Sequence, residues 1–122
     1  MKLHLTHAEG NQLITAYAKG SISINHQIYS HSLIVLPTEI KTDWQVSNFD
    51  SLAITDFEYI ANLSPELVIL GTGETHRFVH PKLSAPLTKL GIAVDCMTTD
   101  AACRTYNILM SEGRNVAAAL IL

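Results

Sequence analysis

A chain of 122 residues with 48% apolar residues, 16% charged residues and a net charge of −3 is the size of one folded domain, 1–122, and can fold without disulfides. Its eight Lys and Arg form no run, which excludes the counterion-displacing patch of a nucleic-acid binder. No apolar stretch approaches the ~20 residues of a spanning helix, and the apolar lean points to surface covered in a homo-oligomer or against a protein partner.

The opening MKLHLTHAEGNQL carries one Lys and no apolar core of signal length. A cytoplasmic protein is therefore expected, with residues 1–12 as a frayed tail and Cys96 and Cys103 as reduced thiols. From Leu13 to Leu36 the pattern alternates. Ile22, Ile24 and Ile28 flank Asn25-His26, which predicts a hairpin reversing at that pair after an earlier turn at Gly20-Ser21. The antiparallel unit is expected to end with Ser32–Leu36 at Pro37. Trp44-Gln45-Val46 reads as a short strand. Thr55 and Glu58 match a capping box, placing a short helix from Asp56 to about Asn62 before Ser64-Pro65.

After Pro65 the organisation changes. The unbroken Leu67–Leu70 predicts a strand buried on both faces. A helix follows from about Lys82 to Leu90, its regular part starting near Ser84 because Pro86 is tolerated only in a first turn. Ile92–Met97 reads as a second buried strand, Asp100–Glu112 as a helix closed by Gly113, and Val116–Leu122 as a last strand. Strand, helix, strand, helix, strand at this spacing gives two right-handed crossovers and parallel strands. The fold class is thus α/β, an N-terminal antiparallel β-hairpin unit joined to a C-terminal β-α-β-α-β parallel core.

Ligands of open parallel sheets sit beyond the carboxyl ends of the strands, here Gly71-Thr72-Gly73 and the loop at Thr98-Thr99. The glycines lack the third member and following helix of a dinucleotide fingerprint. They serve either backbone geometry or contact with a small ligand. The start of the 100–112 helix, with Thr99 and Arg104, suits a small anion; equally, Thr99 or Asp100 caps the helix and Arg104 pairs with an acid. Asn107 shares the Arg104 side. The candidate ligand-binding set is Gly71, Thr72, Gly73, Thr99, Arg104 and Asn107. Cys103, in the first turns of the helix, is a packed small residue or a thiolate lowered by the helix dipole. No catalytic constellation, metal-ligand spacing or cofactor motif is present in the sequence, so the protein leans away from enzymes and no cofactor is expected.

The segments VILGTG, RF and GIAVDCMTTDAACRTYNILMSEGRNVAAALIL resemble a small α/β domain family. That family includes a mitochondrial respiratory complex I assembly factor, an adipogenesis-associated protein and many bacterial members. The resemblance is closest over 67–122 and looser over 14–37. Its pattern falls on Gly71, Thr72, Gly73, Phe78, Met97, Thr99, Ala102, Thr105, Tyr106, Asn107, Glu112, Arg114 and Val116. It implies one α/β domain of the order just read and no established catalytic activity; without a targeting extension, a mitochondrial location is not expected to transfer. Two functions follow as expectations: an accessory or assembly-type protein working through protein contacts, or a small-molecule (anionic ligand) binding protein or enzyme with a pocket at the strand carboxyl ends.

Overall fold

The computed structural model describes residues 11–122, and tight reversals build its first sheet. β1 (Ile14–Ala18), β2 (Ser21–Ile24) and β3 (Gln27–Tyr29) form an antiparallel meander. Asn25 and His26 both adopt positive φ, 50° and 71°, the left-handed pair whose twist matches that of the flanking strands. Asn25 is fixed there, its Oδ1 accepting from Leu13 N–H at 3.1 Å and its own N–H donating to Leu13 O at 2.8 Å. Ile14, Ile22 and Ile24 face the core, whereas Ile28 is exposed. Of the expected tail, residues 1–10 lie outside the described residues. Gln12 is not frayed: its N–H donates to Pro37 O at 2.9 Å and its carbonyl accepts from Tyr106 Oη at 2.6 Å.

The second sheet has the order β5-β4-β8-β6-β7, with β4 (Leu33–Leu36), β5 (Glu39–Lys41), β6 (Leu67–Gly71), β7 (Ala93–Met97) and β8 (Val116–Leu120). β8, β6 and β7 are parallel, and β4 runs antiparallel to both β8 and β5. The expected antiparallel unit ending at Leu36 is corrected here. Leu33, Ile34, Val35 and Leu36 are all buried, so this strand needs cover on both faces and joins the larger sheet rather than the hairpins. Pro37 does not end the sheet, because the chain reverses into β5. Trp44 and Val46 belong to no strand; both are buried as loop side chains, and Trp44 Nε1 donates to Asp56 O at 3.2 Å.

Among the described residues three α-helices cover the sheet: α1 (Ile54–Ala61), α2 (Pro81–Thr88) and α3 (Thr99–Ser111). On one face Phe57 and Ile60 of α1 and Leu87 of α2 pack with Val68, Leu70, Ala117 and Ala119. On the other, Ala102, Tyr106 and Met110 of α3 pack with Ile69, Ala118 and Leu120 and with the three isoleucines of the first sheet. α1 starts two residues before its expected position, since the Asp56 carboxylate, not that of Glu58, reaches back, accepting from Ala53 N–H at 2.8 Å. α2 starts at Pro81, whose missing N–H costs nothing in a first position. Pro86 therefore falls inside this eight-residue helix rather than in its first turn. β7 is likewise corrected: it is the sheet edge, with Ala93 and Asp95 exposed.

Candidate functional site

The carboxyl ends of β6, β7 and β8 meet at Gly71, Met97 and Leu120, and a dense set of hydrogen bonds closes them. Thr99 is fully buried. Its hydroxyl donates to Ile121 O at 2.7 Å and accepts from Gly73 N–H at 2.8 Å, while its own N–H donates to Gly73 O at 2.9 Å. One threonine thus ties the loop after β6, the start of α3 and the segment after β8. Ile121 N–H donates to Gly71 O at 3.0 Å and Thr72 N–H to Met97 O at 2.8 Å. The Thr72 hydroxyl lies 2.7 Å from Thr75 O and accepts from Arg77 N–H at 3.2 Å. Both glycines have a local reason. A Cβ at position 71 would stand 3.0 Å from Thr99 Cα, and Gly73 has φ 97°.

Of the residues singled out in the sequence, Gly71, Thr72, Gly73 and Thr99 therefore come together, with Gly73 and Thr99 bonded to each other and the rest of these polar atoms engaged by Ile121, Met97, Thr75 and Arg77. Arg104 and Asn107 stand elsewhere on α3. The Arg104 guanidinium meets the Asp100 carboxylate at 2.8 Å one turn away, which offsets its charge. Asn107 holds β1, its Oδ1 accepting from Ile14 N–H at 3.0 Å and its Nδ2 donating to Ile14 O at 2.7 Å. Both line a shallow cleft of about 180 Å³ with Asp100, Cys103 and the backbone stretch Ile14–Tyr17. Thr98 caps α3 through its hydroxyl, which accepts from Ala101 N–H at 3.4 Å.

Cys103 is buried, and that burial, reinforced by the Asp100 charge, pushes its thiol up to about 12 against the smaller opposing effect of Arg104. The helix dipole does not prevail over desolvation. His80 caps α2, its Nδ1 accepting from Lys82 N–H at 3.1 Å. Among the described residues no three His, Cys, Asp or Glu side chains converge as a metal-ligand set.

A larger cleft of about 520 Å³ opens at the same carboxyl edge, on the β4–β8 side. Its walls include Ser30, His31, Thr42, Gln45 and Ser47, with Trp44 below. Those residues come from segments before β4 and after β5. The antiparallel pairing of β4 with both β8 and β5 brings them to this edge. Nothing in their local sequence signals it; only the sheet order does.

No helix among the described residues is long and apolar enough to cross a membrane. The chain is similar to a Francisella tularensis subsp. holarctica protein named 13 kDa major membrane protein, 32% identical, with 86% of each chain covered. It is also similar to the Danio rerio NADH dehydrogenase [ubiquinone] 1 alpha subcomplex assembly factor 3, 34% identical over 93% of this chain but 66% of that protein. Among solved structures, a crystal structure of a Bordetella parapertussis protein superposes with a TM-score of 0.87 at 36% identity, covering 93% of this chain and 98% of that one. The model of the family described as "Protein of unknown function (DUF498/DUF598)" matches residues 14–121, and the chain belongs to that family.

Proposed function

We infer that this protein is a non-enzymatic accessory factor that acts through protein contacts in the assembly of a respiratory membrane complex. The observation that carries the reading is the 34% identity to a named assembly factor along 93% of this chain. The similarity thus spans both sheets and the joint around Thr99 rather than one motif. The closed hydrogen bonding at Gly71, Gly73 and Thr99 agrees with it, since those groups are engaged in holding the fold. The test is a native gel of membranes from cells depleted of the protein, stained for NADH dehydrogenase. The expected result is less full-size complex, with smaller subassemblies accumulating and restoration by the wild-type chain. Full-size complex at normal abundance would refute the assembly role.

A second reading, small-molecule binding at the carboxyl edge, is favoured by the about 520 Å³ cleft there. Its size falls in the range of ligand pockets. Its hydroxyl, amide and imidazole side chains suit an uncharged polar ligand better than an anion, because Arg104 is paired and stands in another cleft. A thermal-shift screen of small polar compounds against wild type and Gln45→Ala tests it. A compound that stabilises only the wild type supports the reading, and a flat screen removes it.

A further inference from the structure

The two edges of the five-stranded sheet are built differently. β5 is three residues long and carries the Glu39–Lys41 ion pair at 3.1 Å, a short charged edge of the kind that discourages pairing. β7 is five residues, Ala-Val-Asp-Cys-Met, with neither Pro nor Lys. Among the described residues no strand pairs with its outer side. Leu90, one of the large apolar side chains left exposed, lies at the foot of the same strand.

The backbone of β7 can be oriented atom by atom. Thr72 N–H donates to Met97 O, and Gly71 is the register partner of Met97. In a parallel ladder the residues of one strand aim their N–H and C=O alternately at one neighbour and the other. Ala93, Asp95 and Met97 therefore aim at β6, while Val94 and Cys96 present free donors and acceptors to the outside. The side chains of Ile92, Val94 and Cys96 are partly buried apolar groups on the α1–α2 face.

We propose that β7 pairs antiparallel with β7 of a second copy of this chain, on a two-fold axis through Val94, so that the two sheets run on as one of ten strands. Val94 exchanges both hydrogen bonds with the partner's Val94, and Cys96 N–H donates to the carbonyl of Ile92 of the partner subunit; the Ile92 N–H is already taken up by Leu87 O at 3.0 Å. Both outward groups of Val94 and the N–H of Cys96 are thereby satisfied in one isologous contact. The charge on β7 selects this register. Pairing centred on Asp95 would set two carboxylates directly opposite each other, which is destabilising. Centring on Val94 sets Asp95 against the partner's Ala93, whose small side chain leaves the carboxylate in solvent. The inference is independent of the assembly reading, because it rests on the geometry and charge of β7.

Sedimentation velocity over a wide concentration range tests it, with wild type and Val94→Pro compared. The N–H of Val94 aims away from β6, so proline there spares the β6–β7 ladder and removes two hydrogen bonds at the axis. Wild type is expected at twice the 13.4 kDa chain mass, and Val94→Pro is expected to weaken the dimer by about tenfold or more. A wild type that stays monomeric, or a folded Val94→Pro that dimerises as well as wild type, would overturn the proposal. If Val94→Pro does not fold, Val94→Cys on a Cys96→Ser background decides. Paired residues of this kind lie about 5.5 Å apart at Cα, within disulfide range. A disulfide-linked dimer on mild oxidation supports the pairing, and its absence overturns it.

Discussion

Replacing Thr99 with Val keeps the shape of the side chain and removes the hydroxyl shared by Gly73 N–H and Ile121 O. A buried backbone group left without its partner costs about 1–3 kcal/mol. Thr99→Val is therefore expected to lower the unfolding free energy by about 2–4 kcal/mol in urea denaturation, and Thr99→Ser by distinctly less. A loss below about 0.5 kcal/mol, the size of a neutral surface change, would mean the hydroxyl does not tie the three segments. Gly71→Ala belongs to the same joint. Its added methyl would meet Thr99 Cα at 3.0 Å and Leu120 Cδ2 at 3.1 Å, so overpacking of about 1–3 kcal/mol is expected by the same measurement. Cys103 gives a pH signature. Its thiol is pushed up to about 12 in the fold against about 8.5 in an unfolded chain. The stabilisation from holding it neutral is complete below the lower value and lost as pH rises towards the higher one. At neutral pH a thiol reagent should label Cys103 far more slowly in the native protein than in urea. Equal rates would show an accessible thiolate.

Asn107 joins two elements, since α3 holds the first sheet through its paired bonds to Ile14. Asn107→Ala is expected to cost about 2–3 kcal/mol. Amide exchange should speed up across Ile14–Ala18 well before it does across Val68–Leu70, and uniform acceleration would show that the first sheet does not loosen separately. Elements were legible in the sequence where the signal is local. Asn25-His26 encodes its own reversal, and the unbroken Leu67–Leu70 encodes burial on two faces. Leu33–Leu36 carries that same unbroken pattern, but its adjacency to the hairpins points to the smaller sheet, while its burial on both faces places it in the larger one. Helix α1 starts two residues before the capping box spelled by Thr55 and Glu58, because Asp56 is the acid that reaches back to Ala53. For the site, the parallel strand order was enough to bring Gly71–Gly73 to Thr99. The pairing of Arg104 with an acid is one of the two readings its sequence offers, and Asp100, one helical turn before it, is that acid. Nothing local shows that residues 30–31 and 42–47 wall the larger cleft, which depends on distant strand pairing.

At the scale of the molecule, one five-stranded sheet is covered by α1 and α2 on one face and by α3 with the three-stranded sheet on the other. Polar groups at the carboxyl edge are largely consumed in closing it. What remains outward includes Ile28, Phe78, Leu90 and Ile108, large apolar side chains of the sort that become covered when a partner docks. Phe78 is 79% exposed and lies with its ring centroid 4.5 Å from that of His76, in the loop between β6 and α2. Phe78→Ser is expected to leave the melting temperature unchanged, because an exposed side chain carries little of the fold's stability, and to reduce what the protein retains from cells. The most direct measurement is affinity purification of the tagged chain at near-native abundance, wild type beside Phe78→Ser, with mass spectrometry of everything held. A reproducible set of respiratory-complex subunits with the wild type, diminished with the variant, is the predicted result. A wild-type preparation that holds nothing but the chain itself would contradict an assembly role and shift attention to the cleft beside Trp44.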